Sequence, residues 1–178
     1  MRGTAEPEAF AVGEVRTFRL GRDGGLHPLY EDRAWQPNGN TAACKRGREH
    51  AAPDPDCRCG FYAYGDLTWT VAQPPAARVL AVVALWGTLD VSTRGVRAEH
   101  GRLRALWLHR RVPDHLVKAV RDRYPDVEVL RDRDVLLWRH RLTALEGYSG
   151  PRLAGHPRQV VSRLLAVLAT LVVLIGCL

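Results

Sequence analysis

Residues 78–91 read RVLAVVALWGTLDV, a nearly continuous apolar run rich in valine and leucine. A run of this length and composition predicts a central strand buried on both faces, although Ala81-Val82-Val83-Ala84-Leu85 alone also fits a helix. The turn formers Ser92-Thr93-Arg94-Gly95 follow, and then residues 96–108, so the two stretches predict a long hairpin.

Outward from this hairpin the pattern mixes strands and helices. Pro113-Asp114 opens a helix with Leu116, Val117 and Val120 on one face, closed before Pro125; proline in the first turn and just past the end is the expected punctuation. Residues 127–130 predict a strand, and 134–145 a second helix carrying Val135, Leu136, Trp138 and Leu142. Upstream, residues 9–20 alternate loosely through Phe10, Val12, Val15, Phe18 and Leu20, a strand that ends at the turn 21–25. Residues 26–30 are its short hairpin partner. Residues 32–56 are dominated by turn formers, and residues 60–65 are a short aromatic strand. The fold class expected is α+β: a curled antiparallel sheet, barrel-like if it closes on itself, with one or two packing helices plus a C-terminal hydrophobic helix. The irregular excursion holds few apolar residues, so an ordered loop of that length needs a metal or a partner surface to hold it.

Hydrophobic residues make up 46% of the 178-residue chain and charged residues 25%, a globular balance that argues against disorder. Residues 1–146 predict a single domain, with a Cys/His loop at 44–59; the Gly/Pro-rich stretch 147–159 reads as a linker. The net charge of +7 and pI near 9.7 suit an anionic partner, either phosphate or lipid headgroups. Lys45 and Lys118 are the only lysines, and an arginine bias also follows from GC-rich coding. Met1-Arg2-Gly3-Thr4-Ala5-Glu6-Pro7 is polar and no apolar segment follows it, so no export signal is expected and the cysteines are expected in a reducing compartment.

Residues 164–178 contain no charge. They span roughly 22 Å as a helix against a hydrocarbon core of roughly 30 Å. Counting from Val160, with Arg163 snorkelling to the headgroups, gives 19 residues, enough to cross. Arg152, Arg158 and Arg163 precede the run, so residues 160–178 predict a single-pass tail anchor in the cell membrane with the N-terminal domain cytoplasmic. The competing account is a helix buried in the core or in a dimer interface. Thr170 is the one polar residue of the run, and the missing polar face favours the membrane.

Cys44, His50, Cys57 and Cys59 fall within 16 residues inside the irregular excursion. Three thiolates and an imidazole can close a tetrahedral zinc site and hold a loop that has little core of its own. Two cysteines separated by one residue depart from the common two-residue spacing. Unligated buried cysteines remain an alternative, as does a disulfide from Cys44 to Cys57 or Cys59.

CRCGFYA at 57–63, Trp86-Gly87 and GVRAE at 95–99 resemble a family of small actinobacterial and actinophage proteins. Residues 26–30, Trp35 with Pro37 and Gly39, and the helix and strand at 116–129 resemble its pattern too. The resemblance covers residues 15–130. It implies a bacterial, GC-rich source and a cysteine and a histidine upstream of C-x-C-G, matched by Cys44 and His50, and it implies no activity.

Tyr62, Trp86, Arg97 and Glu99 form a candidate ligand site, because Arg97 and Glu99 share one face of their strand and an arginine and a carboxylate beside aromatics can grip a polar ligand. A strand-face ion pair over core aromatics accounts for the same residues. No GxSxG, P-loop or HExxH signature is present. Cysteine catalysis with His50 or His100 as base requires a spatial contact. Arginine clusters such as Arg102 with Arg104 are diluted by acidic neighbours elsewhere, so nucleic acid is possible but not favoured. The reading favoured is a membrane-anchored cytoplasmic binding or adaptor module with a zinc-stabilised loop, open to a protein partner. A nucleic-acid or nucleotide-binding domain comes next, and a zinc- or cysteine-dependent enzyme third.

Overall fold

A computed structural model describes residues 12–44, 46, 49–65, 67–140 and 142. In chain order the elements are β1 (Val12–Arg16), β2 (Arg19–Leu20), β3 (Leu26–His27), β4 (Asn40–Thr41), β5 (Phe61–Tyr64), α1 (Leu67–Val71), a 3₁₀ turn (Pro74–Ala77), β6 (Val79–Ser92), β7 (Gly95–Leu108), α2 (Asp114–Arg123), β8 (Glu128–Leu130) and α3 (Arg133–Arg139). The architecture is α+β, with a mostly antiparallel sheet and few helices.

The apolar run at 78–91 is a strand, and the long hairpin forms as expected. β6 and β7 pair from Ser92 opposite Gly95 at the turn to Val79 opposite Leu108 at the open end. Their register shifts between Val82 and Val83 and again between Trp86 and Leu89, and such irregularities bend and twist a strand pair. One edge of β7 is taken by β6. Its other edge is shared end to end by β5 opposite residues 95–98, β4 opposite 100–101 and β8 opposite 105–107. The chain therefore leaves this edge at Thr41 and rejoins it at Phe61, which pins both ends of the intervening loop to one strand.

Two features of the expected sheet are corrected. β8 runs parallel to β7 beside its last residues, Ala105 to Trp107, because α2 carries the chain back far enough for β8 to enter in the same direction, as a crossover connection does. The barrel-like closure is not reached either. Pairings run from β1 to β6, β7 and β5, but the link from β5 back to β1 is one residue pair, Val15 with Tyr64. The sheet curls without forming a closed wall.

Period-two alternation along β6 explains why its apolar run is continuous. Ala81, Val83 and Leu85 enter the main core with Phe18, Leu26 and Trp35, covered by Val117 and Val120 of α2. Leu80 and Val82 enter a second core with Val15, Ala105 and Trp107, covered by Leu67 of α1 and Leu136 of α3. Both faces are covered, so both sets of side chains must be apolar. Residues 67–77, to which the apolar pattern assigns no element, supply α1 and the 3₁₀ turn. α3 is shorter than the helix expected at 134–145: Asp132 caps it by accepting from the amides of Asp134 and Val135, and it closes at His140. Trp138, expected on its apolar face, is 62% exposed.

The first half of the irregular excursion has more core than its composition suggests. Trp35 is buried, edge-on to Phe18 and Phe61 at 5.0 and 5.1 Å. The buried hydroxyl of Tyr124, just past α2, donates to the Trp35 carbonyl at 2.9 Å and accepts from the Leu26 amide at 3.0 Å. No helix among the described residues is long and apolar enough to cross a membrane. The linker at 147–159 and the anchor expected at 160–178 lie outside the described residues.

Candidate metal centre

The second half of the excursion carries the cysteines and the histidine. Ala42, the residue after β4, donates its amide to the Glu99 carbonyl at 2.7 Å, which sets Cys44 beside the sheet edge. Asp54 then makes a tight turn: its carboxylate accepts from the Asp56 amide at 2.9 Å and its carbonyl from the Cys57 amide at 3.1 Å. Gly60 has φ of +108°, and a Cβ there would stand 3.0 Å from Pro53 Cβ and 3.4 Å from the Ala98 carbonyl oxygen. Glycine after the second cysteine thus lets the chain drop straight from the loop into β5.

The ligand atoms of Cys44, His50, Cys57 and Cys59 all lie within 4.8 Å of one another, so the four sit close enough to bind one metal ion. Cys57 and Cys59 are buried, and they pack with Ala52 into a small cluster separate from the two main cores. The sulfurs of Cys44 and Cys57 are 3.7 Å apart. A disulfide needs about 2.05 Å, whereas two thiolates on one tetrahedral ion with bonds of about 2.3 Å stand about 3.8 Å apart. The three cysteines are free, and Cys59 Sγ is 3.9 Å from His50 Nδ1.

The two ring nitrogens of the histidine differ in their surroundings. His50 Nδ1 is 2.9 Å from the Ala51 carbonyl, while Nε2 is buried with no hydrogen-bond partner among the described residues. A metal-bound imidazole characteristically donates its second nitrogen to a carbonyl or carboxylate. Electrostatics divide the cluster, because a ligating imidazole must be neutral and a ligating thiol ionised: a raised His50 or Cys59 favours the proton, and a lowered Cys57 favours a metal. The bond to Ala51, followed by the neighbouring Cys57 and Cys44, raises the His50 pKa to about 9. At Cys57 burial works against ionisation, but hydrogen bonds from the Cys59 backbone, Cys44, Cys59 and His50 outweigh it and lower the thiol to about 7. Burial raises Cys59.

Arg97 supports the loop from below. Its guanidinium donates to the carbonyl of Cys57 and, at 3.4 Å, to that of Cys59. It is held in turn by the carboxylate of Asp90, directly opposite across the hairpin. Burial works against the Arg97 charge, and the hydrogen bond to Asp90 and the charge of Tyr62 outweigh it, raising the pKa above its ordinary value.

Of the four residues expected to grip a ligand, Tyr62 and Arg97 come together. They are opposite one another on β5 and β7, with the guanidinium 5.7 Å from the ring centroid. Trp86 and Glu99 belong to a neighbouring group around His100. Trp86 stacks on the His100 ring at 5.6 Å, and Glu99 accepts from the amide and hydroxyl of Thr88 at 3.0 Å and lies 3.3 Å from His100. These bonds to Thr88, with the charge of His100, lower the Glu99 pKa. His100 Nδ1 meets the Thr41 hydroxyl at 3.1 Å and is remote from a role as base for a cysteine.

The loop that carries the cysteines contributes to the wall of a cleft of about 1110 Å³ whose lining includes Cys44, Cys57, Cys59, Tyr62, Arg16 and Trp35. Trp86, Arg97 and Glu99 are not among the residues that line it. Sequence reasoning did not find this cleft or Arg16. Asp90 was within reach, since pairing Ser92 with Gly95 across the turn sets Asp90 opposite Arg97.

Fold and site together define an α+β domain with a three-cysteine, one-histidine cluster on a loop anchored at both ends to one strand. Comparison of the chain with protein-family models, with curated proteins and with solved structures finds no match.

Proposed function

We propose that this chain is a binding module in which a zinc ion, held by Cys44, His50, Cys57 and Cys59, fastens residues 42–60 as one wall of a ligand cleft. The observation that carries the reading is the convergence of the four ligand atoms within 4.8 Å around a histidine whose Nε2 is buried and unpartnered. Three thiolates and an imidazole match the soft donor set of structural zinc. When bound, zinc supplies the loop with the cross-links that its few apolar side chains do not. Four protein ligands also complete a tetrahedron and leave no position for a reactive water, which favours a structural role over a catalytic one. Arg97 and Asp90 act as the outer support that fixes the carbonyls of Cys57 and Cys59.

The same proposal places the module on the cytoplasmic face of a membrane. Its support is the uncharged run at 164–178 with Arg152, Arg158 and Arg163 before it.

Elemental analysis of full-length protein purified without chelator should find one zinc per chain, and Cys57→Ser with Cys59→Ser should abolish it. Metal-free wild-type protein with the same melting temperature before and after chelation would overturn the zinc reading. Recovery of the full chain in the soluble fraction without detergent would overturn the membrane placement and leave the metal untouched.

A further inference from the structure

The cleft beside the metal loop gathers charge that is scattered in the sequence. Four arginines line it from three segments: Arg16 from β1, Arg33 from the excursion after β3, and Arg46 and Arg58 from the metal loop. Among the described residues, Glu31 is the one acidic residue in the lining. The side chains of Arg33, Arg46 and Arg58 belong to exposed residues, so the protein core does not use up their charge.

Arg16 is the most constrained of the four. It donates from Nη1 to the Tyr62 carbonyl at 2.6 Å, and its guanidinium lies 5.3 Å from the centroid of the Phe18 ring and 5.2 Å from that of Trp35. Burial lowers its pKa to about 10, with Glu31 and Tyr64 opposing the shift. Arg16 is half-buried, so its guanidinium, held on two aromatic rings, is still open to an anion arriving from the cleft.

Aromatic surface accompanies the charge. Tyr30 is 91% exposed and Tyr62 42% exposed, and both belong to the cleft lining. Tyr62 donates its hydroxyl to the Arg58 carbonyl at 3.2 Å, and part of its ring is still presented to the cleft. A cationic groove with exposed aromatic side chains is the arrangement that holds single-stranded nucleic acid, phosphates on arginine and bases on rings. A lone phosphate needs one or two arginines, whereas four on three segments match a chain carrying several phosphates.

We propose that this cleft binds single-stranded nucleic acid, with phosphates along Arg16, Arg33, Arg46 and Arg58 and bases against Tyr62 and Tyr30. The proposal rests on the metal-fastened loop being a wall of the cleft, because Arg46 and Arg58 are carried by that loop.

The test is fluorescence anisotropy of labelled oligothymidylate and oligouridylate, about twelve nucleotides long, titrated with the full zinc-loaded chain in neutral detergent. Affinity should fall between about 50 and 200 mM salt. Combining Arg33→Ala, Arg46→Ala and Arg58→Ala should weaken binding at least about tenfold and reduce the log-log salt slope by about 2. Tyr62→Ala should weaken it by about tenfold. Arg121→Ala, an exposed arginine on α2 outside the cleft lining, should leave affinity unchanged. Zinc content measured on every variant shows that the loop is intact.

The proposal is overturned if the zinc-loaded wild type binds neither oligonucleotide, or if the triple variant with full zinc binds as tightly as wild type. It is equally overturned if a mononucleotide competes as well as the oligonucleotide, or if vesicles of anionic lipid bind through these arginines while oligonucleotides do not. A wild-type chain that takes up no zinc fails the earlier reading instead, and elemental analysis tells the two failures apart.

Discussion

Arg97 donates to the backbone carbonyl of Cys57, 40 residues away in sequence, so a strand of the sheet directly braces the loop that bears Cys44, His50, Cys57 and Cys59. Its charge is balanced by Asp90 on the neighbouring strand. Arg97→Met keeps the stem of the side chain but removes the donors, leaving the carbonyls of Cys57 and Cys59 unsupported. Outer supports of this kind contribute about 10–100-fold to metal affinity. Competition with a chromophoric chelator should show a loss in that range, and Asp90→Asn should show a smaller one. Unchanged zinc affinity in both would mean that the loop holds its shape without the sheet.

Gly60 is the second constraint on the loop. Its φ of +108° disfavours every side chain, and a Cβ would press on Pro53 and the Ala98 carbonyl. Gly60→Ala should therefore cost about 1–3 kcal/mol and weaken zinc binding at the same time, because Cys59 is its immediate neighbour. Denaturation followed at equal metal saturation measures the first effect and chelator competition the second. A neutral result in both would show that the turn relaxes freely.

Tyr124 ties the start of the excursion to the sheet domain through its paired bonds to Leu26 and Trp35. Tyr124→Phe preserves the ring in its fully buried position and strands one amide and one carbonyl. The expected loss is about 1–3 kcal/mol by urea denaturation. Zinc affinity should hold, since Cys44 to Cys59 lie beyond this attachment; a large fall in zinc affinity would show that the two halves of the excursion fold as one unit.

Local patterns revealed some parts of this molecule and long-range pairing hid others. The β6–β7 hairpin was legible because a continuous apolar run, a four-residue turn and a second strand are contiguous. α2 was legible because its prolines mark both ends. The parallel placement of β8 was hidden: three residues carry no signal for which edge they will join, and that choice depends on where α2 packs. The convergence of Cys44, His50, Cys57 and Cys59 was legible because soft donors clustered in one loop. The arginines of the cleft were not, because Arg16, Arg33 and Arg58 are separated in sequence by stretches that fold away between them. Trp35 similarly looked like part of a loop without a core, since its partners Phe18, Phe61 and Tyr124 come from three different segments.

Acid should loosen the far end of the sheet through Glu128 on β8. His140, at 2.7 Å, and then Arg139 lower its carboxyl pKa in the folded chain. A carboxylate depressed by folding stabilises the native state fully above its unfolded value, about 4.3, and that contribution disappears as pH falls through the folded value. The group is about a third exposed, with 34% of its side-chain surface accessible, so solvent screening limits the contribution to about 1 kcal/mol or less. Glu128→Gln should therefore lower the urea midpoint at pH 7, and the two proteins should converge as pH falls through the depressed folded value of Glu128. Measuring both proteins at pH 7, 5 and 3 checks the sign. A gap that widens on acidification would show that α3 is held to β8 by its packing on Leu136, with the charge of Glu128 opposing rather than assisting it.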